Sequence, residues 1–218
     1  METKPDATTI RGVPTATWER LSRHYDRQLW LERSAVATGL DLLSPRVDER
    51  LLDVATGTGE VLRQLARRPD RPREVVGLDA SPKMLARVGD LPDGWSVQVG
   101  DARALPFGDG EFTLASACYL LHVLASDDLP IVLGEIWRAL RPGGRLVTVT
   151  PAVPPRGALH AIARGLDRLG KWRPERLGGL RALDPRAALL AAGFAVEDRR
   201  ADLRGYPSLC VLATRLER

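Results

Sequence analysis

The sequence is poor in cysteine and has no long apolar run, and both shortages exclude classes of protein. Two cysteines, Cys118 and Cys210, are too few and too far apart for a disulfide framework or a zinc site, so we expect no metal. No apolar run reaches the roughly 20 residues of a membrane helix; the run at 112–125 is shorter and is interrupted by Ser116 and His122. The first residues contain no apolar signal core, so we expect a cytoplasmic protein.

Lysine is also scarce, because almost all of the 32 basic residues are arginine, against 28 acidic residues. From Pro151 onward there are 13 basic and 7 acidic residues, so the positive excess lies late in the chain. This excess is typical of a solvated arginine-rich surface, and it also suits an anionic substrate or membrane surface. With 44% hydrophobic and 28% charged residues, the 218-residue chain has the composition of one globular domain with a core.

Short apolar runs alternate with helical patterns along the middle of the chain. We predict strands at Arg50–Ala55, Glu74–Asp79, Trp95–Gly100, Phe112–Ala117 and Arg145–Thr150, and helices at Gly59–Arg68, Ser81–Val88, Asp128–Leu140 and Pro185–Ala192. This alternation is typical of a doubly wound α/β fold. After residue 193, two apolar runs with no helix between them predict a pair of antiparallel strands that closes the sheet.

The segments before and after this alternation have other patterns. We predict a flexible tail at residues 1–14, N-terminal cap helices at 15–43 and a main domain at 44–218. The amphipathic helix pattern at 157–169 makes residues 152–182 a candidate substrate lid within that domain.

A glycine-rich turn follows the first predicted strand, in the stretch "LLDVATGTGEVLRQLA". It does not fit the dinucleotide fingerprint G-x-G-x-x-G/A, because Leu62 occupies the third small position. No Gly-Lys-Ser/Thr follows, so the turn is not a phosphate loop. The carboxylates of Asp53 and Glu60 on either side suit a ligand with positive groups better than a pyrophosphate.

Acidic residues also end the second and third predicted strands. Asp79 lies 20 residues after Gly59, where a carboxylate can accept hydrogen bonds from both ribose hydroxyls. At the end of the third strand, Asp101 can accept from the amino group of an adenine, while the backbone N–H of Ala102 donates to the ring. These positions together indicate a ligand that contains adenosine.

Four segments in this order resemble the class I S-adenosylmethionine-dependent methyltransferases. The segments are "LLDVATGTGE", "VVGLDASPKMLARV", "VQVGDARALPFGDGEFTLASACYLLHVL" and "EIWRALRPGGRLVTVTP". The resemblance covers residues 45–151 and is greatest to the small-molecule branch of ubiquinone/menaquinone C-methyltransferases, natural-product enzymes and phospholipid enzymes. Ala55 replaces the first glycine of that family's D-x-G-x-G-x-G pattern.

The resemblance implies S-adenosylmethionine as cofactor and a Rossmann-like sheet of seven mostly parallel strands, with an antiparallel C-terminal strand and a helical cap. The cofactor-binding residues that it implies are Tyr25, Asp53, Ala55, Gly57, Gly59, Asp79, Ala80, Met84, Asp101, Ala102 and Cys118. The turn would cradle the amino-acid end of the cofactor, and Tyr25 would fold over it. Met84 and Cys118 would face the cofactor, with ordinary core packing as the alternative for both.

His122 is the candidate catalytic residue, because it follows the fourth strand near the place where the methyl group is presented. A histidine there can accept a proton from an oxygen or carbon nucleophile. The quinone C-methyltransferases carry an Arg-Asn pair where this chain has Leu121-His122, which weighs against a quinone acceptor. The alternative is a histidine that packs or positions the following helix.

The predicted function is methyl transfer by in-line displacement to oxygen or carbon of a small-molecule phenol, quinol or natural product. Alternatives that remain open are a phospholipid headgroup N-methyltransferase at a membrane surface, a non-catalytic binder of S-adenosylmethionine or S-adenosylhomocysteine, and a nucleotide-binding oxidoreductase. Nucleic acid is not an expected partner, because "SACY" stands where amino-group methylases of nucleic acids carry Asn/Asp-Pro-Pro-aromatic. Pairing into a homodimer also stays open.

Overall fold

The computed structural model describes residues 9–10, 13–14, 30–154 and 181–217. Strands β1 (Thr9–Ile10) and β2 (Val13–Pro14) pair antiparallel inside the segment predicted as a tail. Of the predicted cap helices, the described part is α1 at residues 30–43, whereas most of the predicted lid lies outside the described residues. In the described ranges, no helix combines the length and the apolar character that crossing a membrane requires.

The main sheet contains seven strands, with helices between them. The strands are β3 (Arg50–Val54), β4 (Glu74–Asp79), β5 (Trp95–Val99), β6 (Phe112–Cys118), β7 (Leu140–Pro151), β8 (Phe194–Asp202) and β9 (Ser208–Arg215). The helices are α2 (Glu60–Ala66), α3 (Pro82–Leu85), α4 (Asp128–Ala139) and α5 (Arg186–Ala191). The predicted alternation of strands and helices is confirmed.

The strand order across the sheet is β5-β4-β3-β6-β7-β9-β8. Neighbours from β5 to β7 are parallel, and β9 runs antiparallel to both of its neighbours, as predicted. The chain moves outward from β3 to β5 and then returns to the other side of β3 as β6. This reversal opens a crevice at the carboxyl ends of β3 and β6, which is where open α/β sheets bind their ligands.

The hydrophobic core has a layer on each face of the sheet, because successive side chains of a strand point to opposite faces. Leu52 of β3 belongs to the layer that packs against α4, and the adjacent Leu51 belongs to the layer beneath α1 and α2. The side chains that α1 and α2 contribute include Leu40, Leu43, Leu62 and Leu65, all at most 1% exposed. Helices on both faces make the strands a rigid base for the crevice.

Two predicted boundaries differ from the structure by three residues or more. α3 ends at Leu85 rather than Val88, and β7 begins at Leu140 rather than Arg145. β7 begins early because Leu140 already pairs with Phe112 of β6, before an irregularity in the register of that pair. Patterns of apolar residues do not reveal such an irregularity, so the strand was predicted to start after it.

Helix α1 is fastened to the C-terminal end of the chain through one buried carboxylate. The hydroxyls of Ser34 and Thr38 each donate to Asp202 at 2.8 Å, and the guanidinium of Arg204 donates to the same carboxylate. Burial raises the pKa of Asp202, but the hydrogen bonds from Arg204, Ser34 and Thr38 outweigh it and hold the pKa well below its usual range. The N-terminal cap is therefore held by residues more than 160 positions away.

Candidate functional site

The turn after β3 uses backbone conformations of the left-handed region at Ala55 (φ 61°), Gly57 (φ 56°) and Gly59 (φ 86°). Such angles are unfavourable for residues with a Cβ, so Ala55 is strained where the two glycines are not. A Cβ at Gly57 would meet no atom within 4 Å, whereas one at Gly59 would lie 3.2 Å from Val88. The turn thus leaves open space at Gly57 and packs closely at Gly59.

The carboxylate of Asp79 joins this turn to the next one. One oxygen accepts the backbone N–H of Gly57 at 2.8 Å, and the other accepts that of Ser81, also at 2.8 Å. Burial raises the pKa of Asp79, and these two hydrogen bonds oppose that rise. Because each oxygen retains a lone pair, the carboxylate can accept two further hydrogen bonds from a ligand.

An open cavity, with about 790 Å³ of empty space when the solvent at its mouth is included, lies at the carboxyl ends of β3, β4, β5 and β6. The predicted residues that line it are Ala55, Gly57, Asp79, Ala80, Met84, Asp101, Ala102 and Cys118. Three others, Asp53, Gly59 and His122, are not among the described residues that line it, and Tyr25 lies outside the described part of the chain. The structure therefore brings most of the predicted cofactor contacts to one place.

Asp53 lies beneath the turn. Its two oxygens accept the hydroxyls of Thr56 at 2.6 Å and Ser116 at 2.7 Å, and the residue is 1% exposed. Burial is the main cause that raises the pKa of Asp53 to about 6, against the opposing effect of the two hydroxyls. In this position the carboxylate fastens the turn to β6, and direct contact with a ligand's positive groups stays a prediction.

Asp101 points into the cavity, but its carboxylate is already engaged. Arg103 binds it through Nε and a terminal nitrogen, the latter at 2.7 Å, and also donates its backbone N–H to it. A second carboxylate, that of Asp128, lies 3.8 Å from the same guanidinium. An adenine amino group would therefore share or displace this pairing, and the predicted contact with Asp101 stays a prediction.

His122 is 4% exposed, and its Nδ1 atom has no hydrogen-bond partner among the described residues. Its ring packs edge-on against Tyr119, with 6.1 Å between centroids. Desolvation by burial, together with the positive charge of Arg181, lowers the pKa of His122 to about 3. A group that resists protonation this strongly is a weak general base near neutral pH, and the catalytic role of His122 stays untested.

Replacing His122 with glutamine tests this burial through the pH dependence of stability. The folded pKa lies below the unfolded value, so between pH 6.5 and pH 3 the unfolded chain binds a proton that the native protein does not. In the wild type, this site therefore lowers the free energy of unfolding as the pH falls. Glutamine lacks the titration, so the stability advantage of the wild type should shrink by about 2 kcal/mol between pH 7 and pH 5. Urea denaturation at both pH values measures the difference, and a constant difference would show that His122 is accessible to protons.

Sequence reasoning missed the apolar wall of the cavity and the residue that braces it. Tyr119, Leu120, Val123 and Leu124 line the cavity directly after β6. Arg181, at the end of the predicted lid, donates to the backbone carbonyls of His122 at 2.8 Å and Leu124 at 2.7 Å. The apolar run "YLLHVL" carried a signal for the wall, whereas no local signal could pair Arg181 with a loop 57 residues away.

The sheet order, the turn after β3 and the carboxylates at two strand ends define a Rossmann-like protein with a site for an adenosine-containing cofactor. Comparison with known protein families narrows this class to the methyltransferases. A family described as "Methyltransferase domain" matches residues 51–144. Demethylmenaquinone methyltransferase of Thermus thermophilus is 35% identical over 177 residues, covering 72% of this chain and 79% of that protein.

Another relative and two solved structures that this chain resembles are also methyltransferases or contain one. A ubiquinone/menaquinone biosynthesis C-methyltransferase of Dinoroseobacter shibae is 40% identical over 119 residues, covering 50% of this chain and 45% of the relative. The matched segment therefore spans less than half the length of that protein. One chain of the complex between the Trm112 methyltransferase activator and a methyltransferase of Haloferax volcanii matches with a TM-score of 0.72 at 20% identity, covering 92% of this chain and 98% of that one. A methyltransferase of Mesorhizobium loti matches with a TM-score of 0.61 at 25% identity, covering 85% and 98%.

The chain belongs to the S-adenosylmethionine-dependent methyltransferases, and it resembles those of ubiquinone and menaquinone biosynthesis within them. S-adenosylmethionine is its cofactor. The residues of the cavity fit this molecule, because they offer a carboxylate, an open glycine turn and apolar side chains such as that of Met84. These groups suit a ribose, an amino-acid chain and an adenine in turn.

Proposed function

We propose that this enzyme transfers the methyl group to oxygen or carbon of a small aromatic acceptor, such as a phenol or a quinol. The observation that carries the proposal is the apolar wall directly after β6, to which Tyr119 and Leu120 belong. This wall offers an apolar surface and one aromatic ring beside the cofactor cavity, which suits a flat, uncharged substrate. The relatives named as quinone-pathway methyltransferases support the same substrate class.

The proposed cofactor contacts follow from the site. Asp79 accepts the ribose hydroxyls with the lone pairs that Gly57 and Ser81 leave open, and the backbone of Ala55 and Gly57 contacts the amino-acid end. Met84 is 4% exposed and contributes to the cavity, so it packs on the adenine. These residues bind and orient the cofactor, which supplies the methyl group as an electrophile.

The rate of such a transfer depends chiefly on alignment and exclusion of water. The positive charge on sulfur disperses in the transition state, so the leaving group needs no acid. The wall at the end of β6 excludes water from the line of attack, while the rigid carboxyl ends of the strands hold the two reactants in line. Proton removal matters only where the acceptor carries its proton into the reaction, as phenols and carbon acids do.

A methyl-transfer assay over three acceptor classes tests the proposal. The purified chain is incubated with S-adenosylmethionine and catechol, reduced 1,4-naphthoquinone, or vesicles of phosphatidylethanolamine. S-adenosylhomocysteine and the methylated product are measured by mass spectrometry. Methylation of the phenol or quinol, absent in Asp79→Asn, supports the proposal. Methylation of the vesicles alone would identify a phospholipid headgroup enzyme, and cofactor binding without any product would favour a non-catalytic binder.

A further inference from the structure

The guanidinium of Arg103 stands between two carboxylates, just after β5. Its Nε atom donates to both oxygens of Asp101, at 3.0 and 3.1 Å, and one terminal nitrogen donates to the same carboxylate at 2.7 Å. The other terminal nitrogen lies 3.8 Å from an oxygen of Asp128. Arg103 and Asp101 both line the cavity. This guanidinium therefore serves two carboxylates, and one of them belongs to the cofactor site.

Asp128 has an unused acceptor atom. The residue is 3% exposed, and its Oδ2 atom accepts no hydrogen bond from any described residue. It lies in the first turn of α4, where the helix favours a negative charge. Val132, one turn further along the same side of the helix, lines the cavity. Asp128 is thus a buried acceptor on the cavity side of α4.

The carboxylate of Asp101, by contrast, is fully engaged. Besides the guanidinium it accepts the backbone N–H of Arg103 at 2.9 Å, so each of its two oxygens already takes part in two contacts. An adenine amino group can bind here only where one of these contacts is given up. The carbonyl of Asp101 accepts the N–H of Ala104 at 3.0 Å, which fixes the backbone of this turn. The side chain of Arg103 is therefore the part that can move.

We propose that Arg103 controls the recognition of adenine by moving its guanidinium from Asp101 to Asp128 when the cofactor binds. A charge-assisted hydrogen bond is about 2.8 Å long, so the terminal nitrogen must approach Asp128 by roughly 1 Å. This movement leaves Asp101 open to the adenine amino group and gives the unused oxygen of Asp128 a donor. The inference rests on the predicted contact between Asp101 and adenine, and it is the same for every methyl acceptor.

The exchange makes the selectivity for adenine depend on two carboxylates that compete for one cation. A buried carboxylate without a partner is unfavourable, and the exchange gives each carboxylate a donor once adenine is bound: the guanidinium for Asp128 and the amino group for Asp101. A purine without the 6-amino group offers Asp101 no donor, so Arg103 stays where it is. Asp128 therefore favours the ligand that carries the amino group, although it does not touch that ligand.

Calorimetric titration with two ligands tests the exchange. The first ligand is S-adenosylhomocysteine, and the second is its purine analogue, in which hydrogen replaces the 6-amino group. The ratio of the two dissociation constants measures recognition of the amino group, and general effects of a substitution on the fold cancel in this ratio. We expect the wild type to bind the purine analogue about 10-fold more weakly, as for one hydrogen bond to a charged group.

Variants of the two partners of the exchange have different expected ratios. In Asp128→Asn the amide carries no charge to attract the guanidinium, so Arg103 stays on Asp101 and the ratio should fall to within about twofold of one. Asp127→Asn, the same change at the exposed neighbour where α4 begins, should retain the wild-type ratio. Arg103→Met removes the competitor, so its ratio should equal or exceed that of the wild type. Adding Asp128→Asn to Arg103→Met should then leave the ratio unchanged.

Three results would overturn the proposal. The first is a wild-type ratio in Asp128→Asn, and the second is an effect of Asp128→Asn that persists in the Arg103→Met background. The third is a ratio that Asp101→Ala does not lower, because the amino group would then bind elsewhere. The methyl-transfer assay with catechol and reduced 1,4-naphthoquinone is independent of these ratios, so failure of the proposed function is distinguished from failure of the exchange.

Discussion

Replacing Asp79 with asparagine should weaken the binding of S-adenosylmethionine by about 100-fold, or roughly 3 kcal/mol. The carboxylate accepts the backbone N–H groups of Gly57 and Ser81 through different oxygens, both at 2.8 Å. Asparagine has one acceptor oxygen, so its NH₂ group must face one of these two donors. The variant therefore loses the link between the two turns as well as an acceptor for the ribose.

Calorimetric titration with S-adenosylmethionine, S-adenosylhomocysteine and NAD measures this effect. Asp93→Asn is the matched control, because Asp93 is an exposed aspartate in the loop before β5 and should bind like the wild type. Circular dichroism establishes that both variants are folded. An unchanged affinity in a folded Asp79→Asn variant would refute the ribose contact.

Much of the fold could be predicted because its signals are local. Strands β3 to β6 are short apolar runs that end in, or are followed at once by, a small or acidic residue, and each of these ends lines the cavity. Asp79 and Gly57 were found for this reason: both lie within a few residues of a strand end. The antiparallel β9 was also predictable, since the chain has no helix between its last two strands.

The parts that could not be predicted depend on contacts between distant residues. Arg103 lies two positions from Asp101, yet only the structure shows that it occupies the carboxylate expected to receive adenine. His122 has a suitable position in the sequence, but its burial lowers its pKa, and burial is a property of the packed chain. Helix α1 carries no motif, and its placement depends on residues from the opposite end of the sequence.

The exclusion of dinucleotide-binding proteins shows the same difference between local sequence signals and contacts that only the structure reveals. Leu62 ruled out the dinucleotide fingerprint from sequence alone, and the structure places Leu62 in the core beneath α2 at 1% exposed. A side chain of that size at the predicted close-packing position requires a wider separation of helix and strand than the fingerprint allows. One residue, Leu62, was enough to exclude a dinucleotide-binding site. The assignment of a cofactor site needed all of the residues that line the cavity.

Replacing Gly205 with alanine should destabilise the protein by about 3 kcal/mol and displace α1 at Leu31. A Cβ at Gly205 would overlap the backbone carbonyl oxygen of Leu31 and lie 2.9 Å from the carbonyl carbon. Backbone atoms cannot move aside as a flexible side chain can. The substitution therefore forces α1 away from the loop before β9 and breaks the hydrogen bond from Tyr206 to Leu31.

Gly134→Ala provides the opposite result as a control. Gly134 lies in the exposed part of α4, and a Cβ there would meet no atom within 4 Å, so alanine should stabilise the helix by up to about 1 kcal/mol. Urea denaturation of both variants measures whether the free energy of unfolding falls or rises relative to the wild type. A Gly205→Ala variant as stable as the wild type would show that α1 does not depend on this contact.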